Sequence, residues 1–489
     1  MLFLGESMKA KQFFTRFLGD RVFLRHALRL AIPVAAQNLL ISSFALVDTV
    51  MVSRLGGTAL SSVGMAGQWV WLLNIFLFGM ASGCSIFFSQ FWGNRNKEGI
   101  YKVMGLCLFL SVGVMIPFLL LPVFAPEFII SLFNKAPDVI SCGSSYLKIA
   151  LWSYPAIAVN SAIGALLRST ENVKMPMIVA AVSTVANAAL NYAFIFGLGP
   201  IPAMGVEGAA LATVISAWLG PVLLIAISLL QKNILFAAPR AYFAAKGSEI
   251  AAYLRRVLPV VLNEMLWGAG TLVLTMVWSN VGKEEYGGVT ILTSCMNVAF
   301  SFLQGIGAAC CVMVGKQVGA GKTKEAVRDA YRFSVLTPLF CLFLGALIIL
   351  FRHPIITLFN MGEGLSALTL ATASGLLCIY GAEIVFRNIP YIQICGIFRS
   401  GGDAVFATLC DVGCLWLFAI PVAYFTVRAG LPFLLCYALA YISEDWSKTV
   451  LCFIRLFSEK WIKPVTKEGI EGLAEYKEEK KQKKQKNCN

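Results

Sequence analysis

Four oxygen-bearing side chains set out the chemistry open to this chain. Asp48 is the one ionisable residue in the apolar stretch Pro33–Ser53, PVAAQNLLISSFALVDTVMVS. A carboxylate at such a depth costs roughly 2.5–3.5 kcal/mol on insertion scales, so it faces a polar cavity or a partner. Asn187 and Asn191 stand at i, i+4 in ANAALNYAFIFG, on one face of a helix. Thr213 opens the next apolar segment. A carboxylate, two amide oxygens and a hydroxyl are hard ligands suited to Na+. The same groups can tune Asp48 as a proton carrier. Polar residues between membrane helices also act as plain structural seams. The lone acid favours an ion-binding role, with no metal other than Na+ called for.

A second set lies further along. Pro259–Ser279, PVVLNEMLWGAGTLVLTMVWS, echoes the first stretch at a shift of 226, and holds Glu264 beside Asn263. Glu383 and Arg387, at i, i+4, read as a structural pair, and Asp411 as a further intramembrane acid. Arg168 and Arg399 end their spans beside polar turns and read as interfacial anchors. The run GKQVGAGKT (315–323) ends like a phosphate-binding loop, but Lys316 occupies the place of its first glycine and no strand precedes it, so a tight helix–helix turn is expected. The cysteines sit mostly within apolar segments and act as small hydrophobes, and His26 and His353 lie near segment ends.

These residues need membrane helices to position them. Of 489 residues, 58% are hydrophobic and 13% charged, against about 45–50% and 25% in soluble domains. Repeated apolar runs each exceed the roughly 20 residues that cross a bilayer. The expected fold is an all-α polytopic membrane protein of twelve transmembrane helices, in two six-helix bundles related by a pseudo-twofold axis along the membrane normal. The repeat supports this: at the same shift Gly79 meets Gly305 and Gly93 meets Gly319, and at a shift of 231 Arg168-Ser169 meets Arg399-Ser400. The division expected is a lead-in over 1–25, an N-lobe over 26–231, a linker over 232–256, a C-lobe over 257–457 and a charged tail over 458–489, whose last stretch, 473–489, reads as disordered.

The formal charge of +14 resides in short loops and tails, which excludes nucleic acid as a partner and marks one side of the membrane. Arg95, Lys97, Lys174, Lys246 and Lys322 place both termini in the cytoplasm and the protein in the cell membrane. No catalytic pair or metal cluster lies within the spans, so no enzymatic activity is expected. No cofactor beyond a coupling ion and no obligatory protein partner is expected, which implies a monomer in the bilayer.

The stretches IPVAAQNLLISSFALVDTVMVSRLG, NAALNYAFIFGLGPIPAMGVEGAALATVIS and CGIFRSGGD, in this order within a six-plus-six repeat, resemble the multidrug and toxic compound extrusion (MATE) family over about 28–461. The resemblance implies export of small organic cations from a V-shaped central cavity, driven by inward Na+ or H+. It places Asp48, Asn187, Asn191 and Thr213 at the family's N-lobe cation site, where members often have an aspartate in place of Asn191. It matches Glu264 to a C-lobe acid of Na+-coupled relatives. Where those relatives have an aspartate on the tenth helix, this chain has Asn388. A second ion or substrate site is thus expected from Glu264, Asn263, Asn388 and Asp411. A secondary antiporter working by alternating access is the reading adopted. A lipid-linked precursor flippase of the same superfamily would want a cationic cavity, while a membrane-embedded enzyme or passive channel fits less well.

Overall fold

The computed structural model describes residues 19–359 and 365–488, so most of the expected lead-in lies outside the described residues. Helix dominates. The long helices are α1 (Arg21–Ser53), α2 (Gly57–Gly93), α3 (Lys97–Phe124), α4 (Pro137–Ser169), α5 (Lys174–Phe196), α6 (Gly205–Gln231), α7 (Gly247–Ser279), α8 (Lys283–Gly319), α9 (Thr323–Leu350), α10 (Ala367–Gly401), α11 (Ala404–Arg428) and α12 (Phe433–Phe457). Among the described residues, eleven are long and apolar enough to cross a membrane. α12 stands apart because it carries Glu444, Asp445, Lys448 and Arg455. The chain is an all-α, multi-pass membrane protein.

The repeat is written into the backbone. Among the described residues, three pairs of left-handed positions correspond between the halves. Arg95 (φ 60°) answers Gly321 (φ 75°), Glu171 (65°) answers Gly402 (95°), and Lys232 (46°) answers Glu459 (55°). Each lies just beyond the end of a long helix, where a left-handed residue turns the chain and frees the last carbonyls for capping. The GKT run is accordingly a helix turn between α8 and α9, with Gly321 at its left-handed corner.

The chain packs into two compact units, and all but one of the boundaries, that between Arg95 and Asn96, fall inside helices. One unit takes the chain up to Ala35, Ser89–Arg95 and everything from Met265 on; the other takes Ala36–Phe88 and Asn96–Glu264. Residues 26–35 of the expected N-lobe therefore pack with the second half of the sequence, and 257–264 of the expected C-lobe pack with the first. Glycines make the exchange possible. A Cβ on Gly305 would lie 2.5 Å from the Ala31 carbonyl oxygen and 3.0 Å from Ala35 Cβ. In the other unit, a Cβ on Gly79 would lie 2.9 Å from Val261 Cα. These are the same contact under the 226 shift. The ends of α2 and α8 meet reciprocally too, Gly93 against the Lys316 carbonyl and Gly319 against that of Gln90, as expected of a self-complementary pair.

Each unit has its own core. Leu73, Leu77, Leu147, Tyr154 and Ala210 anchor one, and Leu292, Leu303, Leu376, Leu377 and Tyr437 the other. Two expectations are corrected. The linker is shorter than 232–256, because α7 already begins at Gly247, where Glu249 Oε2 accepts from Lys246 N at 2.8 Å and caps the helix. The charged tail is helical over Lys467–Cys488 (α13). Gly469 and Gly472 let it approach the Val318 and Gly321 carbonyls, Lys324 pairs with Glu479, and Tyr476 Oη donates to Glu459 at 3.0 Å. Tertiary contact thus orders a run whose composition alone favours solvent.

Candidate ion-binding site

α1, α5 and α6 bring the first set of predicted residues together within one unit. Asn191 Nδ2 donates to Asp48 Oδ1 at 2.7 Å and lies 3.1 Å from Asn187 Oδ1. Asn187 Nδ2 continues to Ser216 Oγ at 3.0 Å, and that hydroxyl donates to the Thr213 carbonyl at 3.1 Å. The i, i+4 spacing of the asparagines is what lets one helix face supply both amides. Thr213 Oγ1 donates to the Ala209 carbonyl at 2.9 Å, leaving its lone pairs to the cluster. Tyr146 of α4 stands near Thr213 and Asp48. Sequence spacing gives no sign of Tyr146; Ser216, one turn beyond Thr213, could have been found from the period of α6.

The chemistry follows from what is left unpaired. Asn191 is fully buried, yet its Oδ1 has no hydrogen-bond partner. Leaving such an acceptor unfilled costs about 1–3 kcal/mol. An open amide oxygen beside a carboxylate is a ligand position for a small cation, and the hydrogen bond donated to Asp48 Oδ1 steadies the charged carboxylate. Next to this cluster runs a groove of about 380 Å³ lined by Leu46, Val47, Val50 and Met51 of α1, Tyr192 and Phe196 of α5, and Arg54. Its lining is mostly apolar, with two aromatic faces.

The second predicted set is divided. Asn263, 1% exposed, and the half-buried Glu264 belong to the same unit as Asp48, and Glu264 packs by its Cβ and Cγ on Gly79. Asn388 and Asp411 belong to the other unit. There Asn388 Nδ2 donates to the Ile384 carbonyl at 2.6 Å, and Asp411 pairs with Lys448 at 2.8 Å. The Glu383–Arg387 pairing does not form. Both Glu383 carboxyl oxygens lack a hydrogen-bond partner, and the Arg387 guanidinium lies 4.5 Å from the Tyr441 ring centroid. Arg399 is not interfacial either. At 2% exposure it is covered by the segment after α12, where Trp461 packs on Gly401 and Lys463 N donates to the Gly401 carbonyl at 2.7 Å. The charged triplet Glu444, Asp445 and Lys448 is absent from the expected sites, although charges so placed in an apolar helix are themselves the signal.

The known proteins agree with this architecture. A family model described as MatE matches residues 33–193 and again 259–425, so its two copies start at the paired prolines Pro33 and Pro259. The chain is 25% identical over 454 residues to a probable multidrug resistance protein NorM of Thermotoga maritima, covering 92% of this chain and 96% of that protein. It is 25% identical to multidrug and toxin extrusion protein 1 of Danio rerio, covering 79% and 64%. A solved outward-facing multidrug resistance MATE transporter shares the fold, with a TM-score of 0.79 at 19% identity over 91% of this chain and 98% of that one. The eukaryotic MATE transporter AtDTX14 does so at 0.77 and 19%, over 92% and 98%. The chain belongs to the MatE family.

Proposed function

We propose that this protein is a secondary active antiporter that exports small organic cations in exchange for inward Na+ or H+. It is a transporter and not an enzyme. The observation that carries the reading is the Asp48–Asn191 hydrogen bond within a chain of neutral oxygen donors ending at Thr213. An acid so held can bind a cation or a proton without a permanent counter-ion. The apolar, aromatic groove beside it suits a flat organic cation. Ion and substrate then compete by shifting one conformational equilibrium, each by its differential affinity for the two states. Pro33 and Pro259 each remove a backbone donor near the places where α1 and α7 pass from one unit to the other, and give these helices a bending point. Loop charge supports a reading in which both termini face the cytoplasm and the protein sits in the cell membrane.

The test is purified protein in liposomes, with imposed Na+ or pH gradients and efflux of ethidium as readout. Uphill efflux that follows one of the gradients is expected. Flux indifferent to both would overturn the antiport reading.

A further inference from the structure

We propose that Glu383 and Asp445 form a carboxyl pair that binds one proton, a second proton site in the unit that holds α9 to α12. It stands apart from Asp48 and does not depend on the role given to that residue.

α10 brings Glu383 to this position and α12 brings Asp445, and they are only 5% and 4% exposed. Contacts between α10 and α12 flank the two carboxyls: Phe386 stacks on Trp446 at 4.9 Å and the Arg387 guanidinium lies 4.5 Å from the Tyr441 ring centroid, which sets the acids side by side. Both Glu383 oxygens and Asp445 Oδ2 nevertheless find no donor. Two ionised carboxylates are acceptors only, so a hydrogen bond between them requires a proton on one. Like charges at such a separation, away from water, do not both ionise.

The surroundings leave that proton in place. Lys448 is taken by Asp411 at 2.8 Å and Glu444 at 2.5 Å. The Arg387 guanidinium lies over the Tyr441 ring, 4.5 Å from its centroid, and this one cation does not balance two ionised carboxylates. Four carboxyls thus face two cations. The other titratable groups turned toward the cluster, Tyr380, Tyr437 and Tyr441 and the thiols of Cys410 and Cys414, ordinarily carry no charge at neutral pH. Helix packing fixes the geometry. Pro390 cannot donate to the Phe386 carbonyl, and Thr449 Oγ1 of α12 takes its place at 3.2 Å, clamping α10 to α12 one turn from the pair. When the proton leaves, one carboxyl O–H bond breaks, the proton passes to water, and two carboxylates face each other. Release is therefore tied to water reaching the pair as α10 and α12 part.

The experiment is infrared spectroscopy of the full chain in lipid, in an Asp48→Asn, Glu264→Gln background that removes the two candidate ion-site acids of the other unit. At neutral pH a protonated-carboxyl C=O band is expected. It should be indifferent to added Na+ and disappear on alkaline titration. It should also be lost in both Glu383→Gln and Asp445→Asn, because either remaining acid then ionises beside Arg387. No such band at neutral pH overturns the proposal. Loss of the band on adding Na+ overturns it in favour of a metal cation. Loss in one variant alone overturns it in favour of an isolated acid. Should a variant fail to fold, the pH and Na+ titrations of the background protein decide.

Discussion

Asn191 Nδ2 lies 2.7 Å from Asp48 Oδ1, joining two helices whose bonded residues are 143 positions apart. The partner is a neutral amide. Among the described residues no lysine or arginine is paired with Asp48. Its charge is therefore available to a mobile ion, and this shapes the first prediction.

Asp48→Asn keeps size and hydrogen bonding but removes the anionic ligand and the titrating proton. It should leave folding nearly intact, since an amide is cheaper to bury than a carboxylate, and should abolish coupled efflux in liposomes. Asn191→Ala removes a hydrogen bond to a charged group, worth about 1.5–3 kcal/mol, so ion dependence should weaken roughly 10- to 100-fold. Asn187→Ala and Thr213→Ala should be milder. Wild-type gradient dependence in Asp48→Asn would disprove the site.

Gly79 and Gly305 make the same close approach in different units. Any side chain at Gly305 meets the Ala31 carbonyl oxygen, and at Gly79 the Val261 Cα. Valine at either place should cost about 1–3 kcal/mol through overpacking, read as a lower melting temperature in detergent. Valine at Gly64, which has open space around its Cβ position, is the control and should cost less.

Lys448 holds the buried Glu444 and the part-buried Asp411. Lys448→Met leaves Asp411 and Glu444 without their cation and should destabilise the protein by about 3–5 kcal/mol. The triple change Lys448→Met, Asp411→Leu and Glu444→Leu should recover most of that loss. Thermal unfolding of the set distinguishes unpaired charge from lost packing.

Gly321 and Arg95 occupy equivalent left-handed corners. Gly321→Ala adds backbone strain of about 1–2 kcal/mol and puts a Cβ 2.6 Å from the Glu468 carbonyl oxygen, so it should also loosen α13. Faster proteolysis of the tail is the expected readout. Arg95→Gly removes strain at the matching place and should be neutral to stabilising.

Loop charge predicts the orientation. Single cysteines near Lys97, Lys246 and Lys322 should be labelled only from the cytoplasm, and one near Gly199 from outside. Labelling of the Lys246 position by an impermeant reagent in intact cells would reverse the topology.

The sequence by itself determined the helical membrane class, the duplication and the first polar set. Hydrophobic length and loop charge are local properties, and the asparagine spacing that aligns two amides is a property of one helix. Asp48 was legible because an acid in an apolar stretch demands an explanation. What it pairs with was not, because that depends on which helix faces come together. The same holds for Glu383. Its i, i+4 neighbour Arg387 offered a local partner, yet the fold turned the guanidinium onto Tyr441 and set Glu383 against Asp445 from another helix. The tail makes the converse case: its composition favours water, and only the close approach of its glycines to the α8–α9 turn decides for helix. Tertiary structure alone decided where the units divide, because passing α1 and α7 between them rests on close backbone approaches at Gly79 and Gly305, which join residues far apart in the chain and which no local pattern encodes.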